Sequence, residues 1–339
     1  MRNEIDLTNK RIVISRTDSI GDVMLTLPIC AWLKQQFKGI QIIFLANNYT
    51  QPVVDCYSHV DEFIDWKALE NLPSLEQIDR FRKLNADAII HVFPNKKIAS
   101  LAKKAKIKNR IGTSHRPFHL LTCNYRPNFT RKKSPLHEAQ LNFELLKPFG
   151  LRALPTLEAI NNLTSFFKAP ENSLPDFIEK ALNSSDKTVI LHPKSQGSAM
   201  EWGIENYKNL ALALVEKGFT VFFTGTEKEG LLFRDDISFS DKIIDTTGKL
   251  TLSELITFIG KCGYLVACST GPLHIAGYLN RRAIGLFSPR KPIHPGRWKA
   301  LGKDVRILVD NEECPTCASG KVCRCIEHIS VEKVLNEIR

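Results

Sequence analysis

One feature limits the possible folds more than any other: an alternation of short apolar runs with helical segments that passes through the chain twice. In the first half the runs are "RIVISR" (11–16), "QIIFLA" (41–46), "EFIDW" (62–66) and "DAIIHVF" (87–93). They are rich in β-branched residues and read as strands buried on both faces. Between them the apolar spacing turns helical, as at Val23, Leu27, Cys30, Leu33 and Phe37. Pro28 falls inside that pattern, so the helix either kinks there or starts there. Another helix is expected over 134–150, with Ser-Pro at its start and Gly150 beyond its end. The second half repeats the scheme, with strands at 187–193, 219–225, 242–245, 264–269, 282–288 and 305–310. Its helical patterns fall at 204–217, 227–236, 251–260 and 272–279.

Such alternation builds a mainly parallel sheet covered by helices on both faces. A polar, proline-bearing link, "NNLTSFFKAPENSLP" (161–175), separates the two series. The expected α/β architecture is therefore two Rossmann-like, doubly wound domains, 1–165 and 166–339, with the last helix free to pack back on the first. In sheets of this kind ligands bind beyond the carboxyl ends of the strands. Two facing domains would hold theirs in a cleft between those ends. The 339 residues, 43% hydrophobic and 24% charged, suffice for two cores. No apolar run reaches membrane-spanning length, and "MRNEIDLTNK" lacks the apolar core of a signal peptide. A cytoplasmic protein is expected.

The formal net charge of +11 is unevenly placed. Residues 1–165 carry 24 Lys+Arg and 15 Asp+Glu, and the remainder 23 and 21, differences of +9 and +2. From Lys96 to Lys133 there are twelve basic residues and no acidic one. A field of that sign suits an anionic partner, or is simply a solvated lysine-rich face. A nucleic-acid partner is not expected, because the basic run has neither a recognisable binding module nor interleaved aromatics.

Several junctions carry candidate chemistry. In "RTDSIGDVMLTLP" (16–28), Asp18 and Asp22 flank the point where a strand hands over to a helix. Ser19-x-x-Asp22 fits a capping box, which gives Asp22 a structural reading and leaves Asp18 without one. In "ACSTGPLHIAGYL" (267–279), Ser269 ends a strand, Thr270 suits the N-cap and Pro272 the first turn of a helix. Gly271 permits close approach, the first N–H groups can face an anion, and His274 lies one turn on. The same pattern also fits an ordinary strand-to-helix turn. In "LHPKSQGSAMEW" (191–202), Lys194, Ser195, Gly197 and Ser198 make a donor-rich loop that can cradle a diphosphate or remain a surface loop. In "TGTEKEG" (224–230), Glu227 and Glu229 either accept from ribose hydroxyls or cap a helix.

Taken in order, these motifs resemble glycosyltransferase family 9, the heptosyltransferases of lipopolysaccharide core assembly. The resemblance rests on "SRTDSIGDVMLTLPICAWLKQQF", "HEAQLNFELLKPFG", the "HP…GSA-x-x-W" loop, "STGPLHIAGYLNRRAIGLFSP" and "KPIHPGRW", and spans nearly the whole chain. It implies a GT-B fold, with the acceptor on the first domain and the nucleotide-sugar on the second. It implies inverting transfer from ADP-heptose to an anionic inner-core acceptor, with no required metal or other cofactor. The aspartate of the family's Gly-Asp pair, its catalytic base, corresponds to Asp22. Nucleotide contacts correspond to Ser195, Glu229, Thr270, Gly271 and His274. The chain departs from the family pattern at Met200, where a lysine is common, at Ser269, where many members have aspartate, and at "RKP" (290–292). Lys194 is expected to replace the missing lysine. Asp18, Lys96, Lys97, Arg110, Arg116 and Arg131 are the candidates for holding the acceptor. The basic field would also hold the protein on the inner face of the inner membrane. Other members' donors or surface-polysaccharide acceptors remain the alternative.

One motif stands outside this reading. "CPTCASGKVCRC" places Cys314, Cys317, Cys323 and Cys325 within twelve residues. Four thiols can hold zinc or an iron–sulfur cluster, but the C-x-C pair is not usual zinc-finger spacing. Free thiols or a stress-formed disulfide are the alternatives.

Overall fold

Among the described residues, eleven strands lie in two parallel sheets, one in each half of the chain. The computed structural model describes residues 4–132, 134–197, 199–311, 313–321 and 323–339. Ser198, a candidate for the donor loop, lies outside them. The chain divides into two units, Met1–Lys168 and Ala169–Arg339. The boundary falls three residues later than the sequence suggests. The reason is local: Ser58 N–H donates to the Phe166 carbonyl at 3.1 Å, and Lys168 N–H to Cys56 at 2.9 Å. These bonds tie the end of the link to the first unit.

The first sheet has the order β3-β2-β1-β4-β5. Its strands are β1 (Arg11–Ser15), β2 (Gln41–Ala46), β3 (Glu62–Asp65), β4 (Ala88–His91) and β5 (Asn109–Ile111). Val13, Ile43 and Ile89 lie side by side in register and enter a core with Phe81, Ile98 and Leu101 from the covering helices. The order reverses at β1, so the edge beyond β1 and β4 is the topological switch point where such sheets take ligands. Pro28 marks a helix start: one helix ends at Met24, and Leu27–Gln36 begins anew with the proline at its second position. There its missing N–H costs nothing.

The second sheet has the order β11-β10-β9-β6-β7-β8. Its strands are β6 (Thr188–His192), β7 (Thr220–Phe223), β8 (Ile243–Asp245), β9 (Tyr264–Cys268), β10 (Arg282–Leu286) and β11 (Val305–Leu308). Here the order reverses between β6 and β9, which pair directly, with His192 opposite Ala267. Val189, Leu191, Val266 and Leu286 share a core with Trp202, Tyr207 and Leu210. The last helix, Val331–Leu335, packs on the helix Ile204–Glu216 of its own unit, so the expected return to the first domain is not its packing. The Trp202 indole N–H donates to the Ile329 carbonyl at 2.8 Å, and Asn206 to the Glu327 carbonyl at 2.9 Å. The donor-loop tryptophan thus anchors the C-terminal segment.

No helix among the described residues is long and apolar enough to cross a membrane.

Candidate active site

The first constellation grows out of the end of β1. Arg16 follows the strand directly and is only 2% exposed. A buried guanidinium must find carboxylates or carbonyls, and Arg16 finds three carboxylates. Its Nε donates to Asp18 Oδ1 at 2.7 Å, one terminal nitrogen to Asp22 Oδ1, and the other to Glu138 Oε1 at 3.2 Å. Glu138 is 1% exposed, sits in the first turn of the helix Glu138–Phe143, and also accepts from Arg131 Nε at 2.8 Å. Arg131 continues to Asn142 Oδ1 at 3.0 Å, and Asn142 donates to the Leu25 carbonyl at 3.0 Å. A closed path of charge-assisted bonds therefore fixes the turn that carries Asp22.

The expected capping box at Ser19 does not form. Ser19 holds the N-cap position of Ile20–Met24 without a side-chain capping bond, and its hydroxyl donates to Asp22 Oδ2 instead. The carboxylate is thus gripped on both oxygens, by Arg16 and by Ser19. Asp18, unexplained by sequence, is the second anion on Arg16. Burial works against the guanidinium charge, but Asp18, Asp22 and Glu138 outweigh it and hold Arg16 above its ordinary pKa. Burial also pushes the Asp18 carboxyl up to about 6; Arg16 pulls it down, and the neighbouring Asp22 pushes it further up. Three carboxylates against two guanidiniums leave this cluster short of positive charge.

His91, at the end of β4 opposite Ser15, is a second buried feature of this edge. Neither ring nitrogen has a partner among the described residues, and the same is true of the Ser15 hydroxyl. Burial, with His119 and Arg110 nearby, pushes the His91 pKa down to about 3, so its ring is neutral.

The acceptor candidates divide. Lys96 and Arg116 are exposed and have no ion pair among the described residues. Lys97 reaches Glu70 Oε1 at 3.5 Å and lies 5.9 Å above the Trp66 ring. Arg110 is spent inside the fold, donating to the carbonyls of Thr122, at 2.7 Å, and Ile107. Arg131 is spent on Glu138 and Asn142. For these two arginines the expected acceptor contact gives way to scaffold bonds, because neighbouring carbonyls and a buried carboxylate take their donors.

In the second unit the candidates gather on the carboxyl edge around β6 and β9. Lys194 follows β6, with its Nζ 2.6 Å from Glu201 Oε2. Ser195 is buried and donates to Glu201 Oε1 from its N–H at 3.1 Å and from its hydroxyl at 3.1 Å. Glu201 thus closes the loop on itself and pairs with Lys194, the cation expected to stand in for the lysine missing at Met200. Glu229, beyond β7, is 5% exposed and serves a capping box: its Oε2 accepts from the Thr226 N–H at 2.6 Å and hydroxyl at 2.9 Å. The capping reading of Glu229 accounts for Oε2. His192 Nδ1 lies 3.0 Å from Thr224 Oγ1.

The helix Gly271–Tyr278 starts beyond β9 with Pro272 in its first turn. Thr270 occupies the N-cap position, but its side chain caps nothing. Its Oγ1 is buried and without a partner among the described residues. A hydroxyl left bare beside free helix N–H groups is a prepared anion contact. Ser269 is half-buried before it, and His274 is buried one turn later.

Similarity to known proteins decides the family. The pattern of glycosyltransferase family 9 (heptosyltransferase) matches residues 76–326. The chain belongs to glycosyltransferase family 9. The match covers the whole donor-side edge but starts beyond Asp22. A Haemophilus influenzae protein named simply as a glycosyltransferase is 25% identical over 97% of this chain and 96% of its own. The lipooligosaccharide heptosyltransferase 2 of the same organism is 24% identical over 83% and 84%. The structure of Escherichia coli ADP-heptose LPS heptosyltransferase II superposes with a TM-score of 0.74, at 19% identity over 97% of each chain. The fold is that of the GT-B heptosyltransferases, with two Rossmann-like units, and the protein is a glycosyltransferase.

Proposed function

We propose that this family 9 protein moves a heptose from ADP-heptose to the lipopolysaccharide inner core with inversion, and that Asp22 is its base. An acceptor hydroxyl attacks the anomeric carbon, its proton passes to an Asp22 oxygen, and the nucleoside diphosphate leaves from the opposite face. Such general-base help is worth about 10²–10⁴ in rate. The departing diphosphate gathers negative charge. Lys194, Ser195 and the N–H groups at Thr270–Gly271 meet it, with His274 behind them. The observation that carries the reading is Asp22 itself, gripped by Arg16 and Ser19 at the switch point of the first sheet. Two relatives with heptosyltransferase names and one of them with ADP-heptose in its name support the donor.

The acceptor side follows from charge. An inner-core acceptor bears carboxylates and phosphates, and Lys96, Arg116 and Lys97 are the exposed cations at the start of the basic stretch and near its middle. We place the protein in the cytoplasm, on the inner face of the inner membrane. Leu120 and Leu121 are 57% and 75% exposed on the helix Pro117–Thr122, flanked by Arg116 and by Lys103, which bonds the Leu121 carbonyl. Apolar side chains ringed by cations suit an anionic lipid surface.

A second reading has its own observation. Lys194 is already neutralised by Glu201, and Met200 supplies no charge, so the donor loop has less positive potential than an ADP-heptose site of the usual family pattern. That favours another nucleotide-sugar or another surface-polysaccharide acceptor. A thermal-shift panel separates the two. A ligand at 100 times its Kd adds about 2.7 kcal/mol of stability. Stabilisation by ADP-heptose and not by UDP- or GDP-sugars supports the first reading; the reverse order supports the second.

A further inference from the structure

The cysteine motif takes no part in the chemistry above, and its geometry is specific. The Sγ atoms of Cys314, Cys317, Cys323 and Cys325 all lie within 4.8 Å of one another. Cys317 and Cys325 Sγ lie 3.4 Å apart, and Cys314 and Cys323 Sγ 3.6 Å apart. A tetrahedral ion with metal–sulfur bonds of about 2.3 Å sets its sulfurs about 3.8 Å apart. The cluster is therefore already close to the size of such a tetrahedron, and no pair is at disulfide distance. A cluster of several irons would spread the four thiolates farther than this. The separation within the C-x-C pair, unusual for a zinc finger in sequence, does not prevent both of its sulfurs from entering the group.

The four sulfurs form a largely buried group. Cys314, Cys317 and Cys325 are 8%, 2% and 5% exposed and pack on one another as a small core of their own. The Ser288 hydroxyl lies 3.4 Å from Cys317 Sγ and 3.7 Å from Cys325 Sγ. Ser288 stands just beyond β10, at the head of the loop that carries Arg290 and Pro292. Among the described residues, this stretch has as regular structure only a four-residue helix, Pro315–Ala318, and a short 3-10 turn, Cys325–His328. The other five cysteines, at 30, 56, 123, 262 and 268, form no such group among the described residues.

We propose that Cys314, Cys317, Cys323 and Cys325 bind one divalent transition-metal ion, zinc or ferrous iron, and so staple the C-terminal segment to the loop beyond β10. On binding, each thiol gives its proton to solvent: four thiols and one M²⁺ become an M(S-Cys)₄ centre of charge −2 and four released protons. The Ser288 hydroxyl then donates to a bound sulfur and offsets part of that charge. Both metals prefer tetrahedral four-sulfur coordination, so the ligand set alone selects neither.

The test is the metal content of the full-length protein, purified under reducing conditions after exposure to Zn²⁺ or Fe²⁺ and exhaustive dialysis. The expected result is about one ion per chain, with four sulfur neighbours by X-ray absorption. An iron form shows thiolate-to-iron absorbance in the visible; a zinc form is colourless. Cys317→Ser should lose the ion, and Cys56→Ser should keep it. A mercurial titration of the wild-type protein should release the ion as four thiols react, which keeps the test independent of how any variant folds. Less than half an equivalent after both exposures, nitrogen or oxygen neighbours, or disulfides within the cluster by mass spectrometry would overturn the proposal. No part of it depends on the identity of the donor sugar.

Discussion

Asp18 and Asp22 share the Arg16 guanidinium. In the fold Asp18 is raised from 3.8 to about 6. Between those values the folded protein keeps a proton that the unfolded chain has lost. Its contribution to stability is therefore full below about 4 and declines as pH rises through 6. Activity should move the opposite way. Below pH 6 a proton joins Asp18 and alters its contact with Arg16, which also holds Asp22, so kcat/KM should fall along an acid limb with an apparent pKa of about 6. Asp18→Asn removes the group and should shift that limb; a limb that stays in place would detach Asp18 from it. Asp22→Asn should lower kcat by about 10²–10⁴ while nucleotide binding persists. Near-normal turnover in that variant would end its candidacy as base. Arg16→Met should behave differently again, leaving three carboxylates with only Arg131 and destabilising the fold by about 3–5 kcal/mol in a denaturant titration. The place of Asp22, just beyond the end of β1, was legible in the sequence because the apolar run marks where that strand stops. The meaning of Asp18 was not. Its explanation needs Glu138, 122 residues from Arg16, and no local pattern reports a contact at that range. Ser19 shows a related limit: the spacing of a capping box is real, but Arg16 and the carboxylate draw its hydroxyl away from the backbone.

At the scale of elements, apolar runs located the strands well where burial on both faces dictated composition. "QIIFLA" became β2 at its full length. β5 escaped notice, because "NRI" has three residues and a single fully buried apolar side chain. The helix expected from Ser134 begins only at Glu138, since His137 forms the N-cap and the Gln140 side chain returns to it. The donor-side candidates share a location for a physical reason: they follow strand ends at the carboxyl edge of the second sheet, and that edge can be read from the strand pattern alone. What the pattern could not show was how Glu201 and Glu229 occupy their neighbours. Thr270 gives the sharpest test at this scale. Its buried hydroxyl has no protein partner, so Thr270→Val should leave the unliganded protein as stable or more stable. If the hydroxyl serves the donor phosphates, the same change should weaken nucleotide binding by about tenfold, the loss of one charge-assisted bond of at least 1.4 kcal/mol. Calorimetry on the variant checks both; a destabilised protein with unchanged nucleotide affinity would assign Thr270 to the fold instead.

For the whole molecule, the uneven charge is the property that acts at long range. The excess of +9 sits in residues 1–165, and the helix Lys96–Lys104 packs against the helix bearing Leu120 and Leu121. Each basic residue close to an anionic surface contributes about 1 kcal/mol, and the attraction is screened within a Debye length. The full chain should therefore sediment with vesicles containing phosphatidylglycerol at about 50 mM salt and release from them at about 500 mM, where screening shortens that reach to a few ångströms. Neutral phosphatidylcholine vesicles should retain little of it. Exchanging both leucines for serine should weaken binding at every salt concentration while leaving the slope against salt unchanged, because apolar insertion is not screened. Lys96→Ala combined with Arg116→Ala should instead flatten the slope. If anionic vesicles fail to bind the protein at low salt, the excess charge belongs to the soluble acceptor contact alone, and the exposed leucines need another explanation.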